Sequence, residues 1–438
     1  MQSTAKLLHP NLSLNEKGHL CLGGQDTTVL AARYGTPLYL YDEDAIRARC
    51  RTYLAAMQSA FGARSEVCYA SKAASFRHMY RIMAEEGLSA DAVSAGEIYT
   101  ALSAGFPMER LAFHSNNKTD EDIAYAMQCG VGTFIADNEE ELLAIERTAA
   151  QRGTVQRVLL RLTPGIDPHT YEAISTGKVD SKFGFAIDTG NADRATDLAL
   201  SLPHVRLCGF HCHVGSQVFD AEVYLRSAEV MLRFIDATRR RRGYLADTLN
   251  IGGGFGARYT ENDPTVDIAA NIARLGDFLH RRAEELALPL PVIGLEPGRS
   301  IVAEAGVTLY TVGTVKKIPG YRTYVSVDGG MTDNLRHTLY GAAYTVLPAD
   351  NMGAARNMTC HLVGRCCESG DILAENVSLP AETARGSLIA TLTTGAYHYS
   401  MASNYNRIPR PPVVMLRGGQ SALAVRRETP EDIARLDD

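Results

Sequence analysis

The stretch Val67-Cys68-Tyr69-Ala70-Ser71-Lys72-Ala73 is a short apolar run that leads directly into a lysine. Apolar runs of this length, bounded by turn residues, are typical of buried strands. A lysine shielded at a strand end can lose its proton near neutral pH and act as an amine nucleophile. The alternative is a lysine that lays its stem along the strand end and keeps its charge in solvent. The other strand-like segments of the sequence help to distinguish a shielded lysine from a solvent-exposed one.

Seven further apolar runs repeat this pattern along the chain. The eight predicted strands are Val67–Lys72, Ser89–Ser94, Leu111–Ser115, Thr133–Asp137, Arg157–Thr163, Val205–Val214, Thr248–Gly252 and Val292–Glu296. Amphipathic helical stretches lie between most of them, at 76–87, 95–105, 120–130, 139–153, 221–242 and 266–286. This alternation predicts an α/β fold, a TIM-like (β/α)8 barrel with its active site at the carboxyl ends of the strands.

A second, mainly β domain is predicted after Ala305, where strand-like runs follow one another with only short helical candidates between them. Two earlier strand-like runs, His19–Leu22 and Pro37–Tyr41, precede the barrel, and we expect both in the sheet of that second domain. The predicted barrel therefore covers 45–304, and the β domain combines 1–44 with 305–438.

Composition fits a large enzyme with two cores. The chain has 438 residues, of which 45% are hydrophobic, and a net charge of −6 argues against nucleic acid as a partner. The first residues lack the apolar run of a secretory signal, and no run is long enough to predict a membrane span. Nine scattered cysteines without a CxxC pair predict reduced thiols and a cytoplasmic location.

The segment His211-Cys212-His213-Val214-Gly215-Ser216 ends the sixth predicted strand. Residues two apart share one face of a strand, so both imidazoles are expected to point the same way. A His-x-His pair at a barrel strand end suits zinc. Alternatively, one imidazole stacks on a flat cofactor while Gly-Ser contacts a phosphate. Two buried structural histidines are the third possibility.

Two loops favour a phosphorylated cofactor over zinc. Asn250-Ile251-Gly252-Gly253-Gly254-Phe255-Gly256 follows the seventh strand, and Glu296-Pro297-Gly298-Arg299 follows the eighth. Barrels commonly hold a phosphate at these two loops, through backbone N–H groups and a nearby arginine. Glu296 is suited to pair with a protonated pyridine nitrogen, the interaction that makes pyridoxal 5'-phosphate an electron sink. A salt bridge with a structural role is the alternative for Glu296.

These motifs resemble those of the fold-type III pyridoxal-phosphate decarboxylases, and the chain is most similar to the diaminopimelate decarboxylase branch of that family. The resemblance runs from about Pro37 to Pro412. The residues that carry it are Tyr69-Ala70-Ser71-Lys72, Asp91-Ala92-Val93-Ser94-Ala95-Gly96-Glu97, Ile174-Ser175-Thr176-Gly177, Ser181-Lys182-Phe183-Gly184, His211–Ser216, Gly252-Gly253-Gly254, Glu296-Pro297-Gly298-Arg299, Cys367-Glu368-Ser369-Gly370-Asp371 and Gly395-Ala396-Tyr397.

The resemblance implies a role for each residue of the cofactor site. It implies that Lys72 carries the cofactor as a Schiff base, that His213 stacks on the ring and that Glu296 faces the pyridine nitrogen. The other residues that it places at the cofactor or its phosphate are Asp91, Ser216, Gly252, Gly253, Gly254, Gly298, Arg299 and Tyr397.

The resemblance also implies a homodimer with shared active sites. The far end of the substrate, the end that does not react, is bound by Arg299, Arg336, Tyr340, Glu368 and Tyr397. Cys367 and Glu368 are contributed by the neighbouring subunit. A distal carboxylate suits two guanidinium groups, and a distal ammonium suits a glutamate. Many relatives have valine and asparagine where this chain has Ser71 and Ala74, which we take as subgroup variation.

The activity implied by the resemblance is decarboxylation of meso-2,6-diaminopimelate to L-lysine, the last step of lysine biosynthesis. The catalytic residues are then Lys72 and Cys367, either of which can return the proton to Cα. Three alternatives remain at this point: a decarboxylase of lysine or ornithine, a zinc hydrolase built on His211 and His213, and a barrel that binds the cofactor without catalysis.

Overall fold

The computed structural model describes residues 7–166 and 180–438. The Ile174–Gly177 motif lies outside the described residues. The chain divides into two compact units. One unit comprises the chain up to Ala48 together with Ala257–Thr265 and Ile301–Asp438, and the other comprises Arg49–Gly256 and Val266–Ser300. Within the described ranges, no helix is both long enough and apolar enough to cross a membrane.

In chain order, the strands are β1 (Leu12–Leu14), β2 (Leu20–Leu22), β3 (Gln25–Asp26), β4 (Leu38–Asp42), β5 (Ser65–Tyr69), β6 (Ser89–Ala92), β7 (Leu111–Phe113), β8 (Thr133–Ala136), β9 (Gln156–Thr163), β10 (Phe185–Ala186), β11 (Val205–His211), β12 (Thr248–Asn250), β13 (Val292–Leu295), β14 (Gly306–Ile318), β15 (Arg322–Val327), β16 (Val346–Pro348), β17 (Met358–Val363), β18 (Ile372–Leu379), β19 (Leu388–Leu392), β20 (Val413–Arg417) and β21 (Gln420–Val425).

The α-helices follow the same order. They are α1 (Thr27–Tyr34), α2 (Glu43–Phe61), α3 (Arg77–Glu86), α4 (Ala95–Ala104), α5 (Asp120–Gln128), α6 (Glu139–Arg152), α7 (Asn191–Ser201), α8 (Glu222–Arg242), α9 (Ile268–Glu285), α10 (Arg299–Val302), α11 (Arg336–Tyr340) and α12 (Pro430–Ala434).

Eight parallel strands close into a barrel in the unit that holds Lys72. Strands β5 to β9 pair in sequence, β9 continues through β11, β12 and β13, and β13 pairs with β5 to close the sheet. Each of the eight predicted strands overlaps one of these, and most predicted runs extend a few residues past the observed carboxyl end. The predicted barrel is confirmed. The motifs that contain Lys72, His211 and Glu296 lie where its strands end.

The helices around the barrel begin after polar capping residues and end at glycines. The side chains of Ser94 and Asn138 accept hydrogen bonds from the first turns of α4 and α6. Gly87, Gly105 and Gly153 end α3, α4 and α6 in the left-handed conformation, which glycine adopts without steric cost. These stops return the chain to the barrel at the start of the next strand.

The other unit is mainly β, as predicted, with one correction. Its large sheet runs β18-β17-β15-β14-β4-β20-β21, so the amino-terminal strand β4 lies between strands from the far end of the chain. The predicted strand at His19–Leu22 was expected in that sheet, but β2 instead joins β1 and β3 in a separate three-stranded sheet. Gly23 and Gly24, with φ of 55° and 75°, turn the chain back on itself, so β2 pairs with its sequence neighbour β3.

A buried ion pair fixes the loop that follows β7. The Nζ of Lys118 donates to the carbonyls of Ser115 (3.1 Å) and Ile135 (2.8 Å) and to Oε1 of Glu141 (2.7 Å). The Lys118 side chain is 0% exposed, and that of Glu141 is 2% exposed. All three ammonium protons are therefore used in joining the end of β7 to β8 and α6.

We expect Lys118→Met to lower the free energy of unfolding by about 3–5 kcal/mol, because it leaves the Glu141 carboxylate buried without its partner. The double variant Lys118→Met/Glu141→Leu removes both charges and is expected to recover most of that loss. Urea denaturation measures both, with the exposed Lys182→Met as the control. A single variant as stable as the parent would contradict the role of the pair.

Candidate active site

Lys72 lies immediately after β5, in a single 3-10 turn formed by Ser71–Ala73. Ser71 and Ala73 are buried, whereas Lys72 is exposed. Of the two possibilities considered from sequence, a shielded and a solvent-exposed lysine, the described residues show the exposed one. The turn presents the amine at the carboxyl end of the barrel, where a ligand can reach it. Lys118, by contrast, is saturated by its three acceptors.

Asp91 ties this turn to the neighbouring strand. It lies in β6, is 4% exposed, and its Oδ1 accepts a hydrogen bond from the backbone N–H of Ser71 at 2.7 Å. Burial, followed by the negative charge of Glu296, raises the pKa of Asp91 to about 7, against the opposing effect of Lys72. The carboxyl group thus fixes the backbone that carries Lys72 and lies within electrostatic range of its amine.

Glu296 is the centre of a buried polar cluster at the end of β13, where it is 7% exposed. Its Oε1 accepts hydrogen bonds from Nε2 of His114 (3.0 Å) and Nδ2 of Asn250 (2.9 Å). Its Oε2 accepts one from Nε2 of His211 (2.9 Å). Burial raises the pKa of Glu296, but the two histidines outweigh it and hold the pKa well below its usual value.

The two histidines of this cluster are neutral donors near pH 7. Burial lowers the pKa of both, that of His211 to about 4. Each therefore carries its proton on Nε2, facing the carboxylate. The side chains also stack edge to face, with ring centroids 4.9 Å apart. Glu296 is thus ionised inside the barrel, with neutral hydrogen-bond donors on both of its oxygens and the buried guanidinium group of Arg161 within electrostatic range.

This cluster fits a pyridine nitrogen. An ionised carboxylate offers about four lone-pair sites. The three donors on Glu296 fill two sites on Oε1 and one on Oε2. Among residues 7–166 and 180–438, no donor takes the second site on Oε2, and a protonated pyridine supplies a single N–H.

His211 and His213 have different hydrogen-bond partners, although we expected their imidazoles to point the same way. Strand β11 ends at His211, so the alternation of faces does not extend to His213. The Nδ1 of His213 accepts a hydrogen bond from the backbone N–H of Gly253 at 3.3 Å. Burial, and then the positive charge of Lys72, hold the pKa of His213 well below its usual value. These contacts do not form the zinc pair considered from sequence.

The loops after β11, β12 and β13 approach one another closely enough to cradle a phosphate. The Nε and Nη2 of Arg299 donate to Oγ of Ser216 at 3.2 and 2.9 Å. A Cβ atom on Gly253 would lie 1.9 Å from the carbonyl oxygen of Glu296, and Gly254 has a φ of 108°. A side chain would collide at position 253 and would be strained at position 254, so both positions require glycine. Backbone amides, a hydroxyl and a guanidinium group thus occur together, a donor set that suits a phosphate dianion.

In the mainly β unit, Arg336 lies between two tyrosine rings. Its guanidinium carbon is 5.1 Å from the ring centroid of Tyr340 and 5.2 Å from that of Tyr397. Arg336 is 7% exposed, and its buried Nε has no hydrogen-bond partner among the described residues. Tyr397 has a φ of 65°, a conformation that costs an aromatic residue about 1–3 kcal/mol. A buried donor of this kind is available to an acceptor atom of a ligand or of a water molecule.

The Cys367–Glu368 segment of the same unit lies at the surface. Both residues are exposed in the single chain. The backbone N–H of Cys367 donates to Oδ1 of Asn406 at 2.7 Å. The Glu368 carboxylate accepts long hydrogen bonds from the hydroxyl of Tyr405 (3.4 Å) and the backbone of Gly370 (3.3 Å).

Sequence reasoning missed His114 and assigned Asn250 no role. His114 lay inside the predicted strand Leu111–Ser115, and Asn250 stood at the head of the glycine-rich segment. Each occupies the carboxyl end of its strand or the position after it, which is where barrel sites are built. A search of all eight strand ends for polar side chains would have found both.

Known proteins match this architecture over its full length. The family model for the pyridoxal binding domain of pyridoxal-dependent decarboxylases matches residues 43–303. Diaminopimelate decarboxylase of Bacillus subtilis is 46% identical over 430 residues, which are 98% of each chain. The M. jannaschii diaminopimelate decarboxylase, crystallised with L-lysine, is 30% identical, covers 99% of each chain and has a TM-score of 0.91. A lysine/ornithine decarboxylase of Vibrio vulnificus, 24% identical with a TM-score of 0.75 over 89% of this chain and 97% of its own, shares the fold.

Proposed function

We propose that this chain, which belongs to the diaminopimelate decarboxylases of the pyridoxal-dependent decarboxylase family, removes CO2 from meso-2,6-diaminopimelate and releases L-lysine. The reaction is the last step of lysine biosynthesis. The observation that carries the choice of substrate is Arg336, whose buried Nε has no acceptor among the described residues.

The cofactor is pyridoxal 5'-phosphate, and the barrel unit supplies its contacts. Lys72 would hold the aldehyde carbon, and His213 would face the ring. Glu296 would accept the pyridine N–H. Ser216 and Arg299, with the backbone of Gly252–Gly254 and Gly298, would hold the phosphate. Asp91 and Tyr397 are the remaining residues assigned to the cofactor.

When bound, pyridoxal phosphate delocalises the electron pair that remains at Cα after CO2 leaves. The protein's own task is to keep the ring nitrogen protonated and to return one proton to Cα. Glu296 stays ionised and so favours the protonated pyridine nitrogen. The amine of Lys72 and the thiol of Cys367 are the candidate donors of the returning proton.

The environment of Arg336 favours diaminopimelate over basic amino acids. Diaminopimelate carries a second carboxylate at its far end, whereas lysine and ornithine carry only an ammonium group there. A buried Nε–H group left without an acceptor costs more than one paired with a carboxylate. We assign the distal carboxylate to Arg336 and Arg299, the distal ammonium to Glu368, and the flanking contacts to Tyr340 and Tyr397.

We assign the active form to a two-fold dimer in the cytoplasm, in which Cys367 and Glu368 complete the partner's site. Both residues are exposed in the single chain, which suits a contact made by another subunit. All nine cysteines are free thiols, which suits a reducing compartment.

The lysine assignment predicts where the cofactor is attached. Borohydride reduction of the holoenzyme is expected to fix the cofactor to the peptide that contains Lys72, as read by mass spectrometry. Lys72→Ala is expected to lose nearly all turnover, because both substrate exchange and one route of proton return depend on that amine. Lys182→Met serves as the control. Label on Lys118 or Lys182 would overturn the assignment.

The substrate assignment predicts a selective effect at Arg336. Arg336→Ala is expected to lower kcat/KM for diaminopimelate on the order of a hundredfold, about 3 kcal/mol, because a charge-assisted pair is lost. The small activity expected with L-lysine is changed far less. CO2 release with both amino acids measures the difference, and the exposed Arg385→Ala is the matched control. Equal losses with the two substrates would contradict the role.

The shared site predicts complementation between two inactive variants. In a dimer of a Lys72→Ala subunit with a Glu368→Ala subunit, both changes fall in one active site and the other site is intact. Random exchange is expected to restore about a quarter of parental activity, since about half of the dimers are mixed and each has one good site. Mass spectrometry verifies the exchange. A mixture that stays inactive after exchange would show that each site comes from one chain.

A further inference from the structure

We propose that His114 and Asn250 are positioning residues that occupy Oε1 of Glu296 and so reserve Oε2 for the pyridine N–H of the cofactor. This inference rests on the proposed function, and it assigns roles to two residues that do not touch the substrate. It follows from the hydrogen bonds around one buried carboxylate.

The orientation of the Asn250 amide is set by its other partner. Its Oδ1 accepts a hydrogen bond from the backbone N–H of Gly252 at 2.8 Å. The opposite end, Nδ2, must therefore face Glu296, to which it donates at 2.9 Å. One side chain thus connects the start of the phosphate-binding loop to the carboxylate that faces the ring nitrogen. The backbone N–H of Glu296 also donates to the carbonyl of Gly252 at 2.9 Å, so loop and carboxylate are connected twice.

His114 fills the second position on the same oxygen. It is 7% exposed, and its Nε2 lies 3.0 Å from Oε1. The ion pair of Lys118 with Glu141 anchors the loop that follows His114, through the carbonyl of Ser115. His211 takes only one position on Oε2, at 2.9 Å. The donors are therefore distributed two and one over the carboxylate.

This distribution of two donors on Oε1 and one on Oε2 determines whether the proton shared with the pyridine lies on its nitrogen or on the carboxylate. Neutral donors on Glu296 stabilise its ionised form, so a proton shared with a pyridine stays on the nitrogen. Loss of a donor from Oε1 makes Glu296 more basic and draws that proton towards the carboxylate. The ring then loses the positive charge that makes it an electron sink.

The test uses holoenzyme reconstituted with pyridoxal phosphate labelled with 15N at the ring nitrogen. In the parent, the 15N signal is expected at the position of a protonated pyridine from pH 6 to pH 9. In His114→Leu, the signal is expected to move towards the unprotonated position, and kcat to fall roughly tenfold to a hundredfold with KM changed little. The amide of His114→Gln can donate to Oε1, so this variant is expected to restore the parental signal and most of kcat.

Phe113→Leu is the matched control, because Phe113 is the buried neighbour of His114 on β7 and packs against Phe134. It is expected to leave the 15N signal unchanged. If His114→Leu fails to fold, His114→Asn takes its place, since the shorter amide does not reach Oε1 and is expected to shift the signal.

A parental 15N signal in His114→Leu, or in the His114→Asn variant that replaces it, would overturn the positioning role and leave the proposed function intact. An equal shift in Phe113→Leu would also overturn it. A parent that takes up no cofactor would overturn the proposed function itself.

Discussion

A single buried carboxylate, Glu296, imposes the strongest constraint on this barrel. An ionised group inside a protein is costly unless hydrogen bonds compensate for the lost water. In this barrel the compensation comes from three neutral side chains, one at the end of each of three other strands: His114, Asn250 and His211. The barrel must therefore close with those strand ends at one level. The site forms where that requirement is met, and the chemistry uses the charge that the fold has stabilised.

The second constraint is close approach of backbones around that carboxylate. Gly253 lies where any Cβ would collide with the carbonyl of Glu296, so the loop after β12 packs directly on the end of β13. The same loop gives an N–H to His213 and, through Gly252, an N–H to Asn250. The loop after β12 thus connects residues proposed to hold the phosphate with the carboxylate proposed to face the ring nitrogen. Changes in the loop and changes at Glu296 are expected to affect each other.

The proposed substrate specificity depends on Arg336 of the mainly β unit. Among the described residues its guanidinium group contacts the rings of Tyr340 and Tyr397, and its Nε is left available to a ligand. A lysine/ornithine decarboxylase of Vibrio vulnificus shares the fold at 24% identity, so the fold alone does not identify the substrate.

The sequence by itself determined the barrel and its strand ends, because apolar strand runs, helix caps and glycine runs are local patterns. It also placed Lys72, Glu296 and Arg299 at adjacent strand ends, although their roles as site residues, like the phosphate contacts of the loops, stay predictions. The pairing of β2 with β3 was missed although it follows from a local pattern, the Gly23-Gly24 turn. Only the tertiary structure decided that His114 and Asn250 meet Glu296, and that His211 and His213 have different partners. Both facts depend on the level at which each strand ends when the sheet closes. Local patterns do not contain that level, since it follows from contacts between residues far apart in the chain.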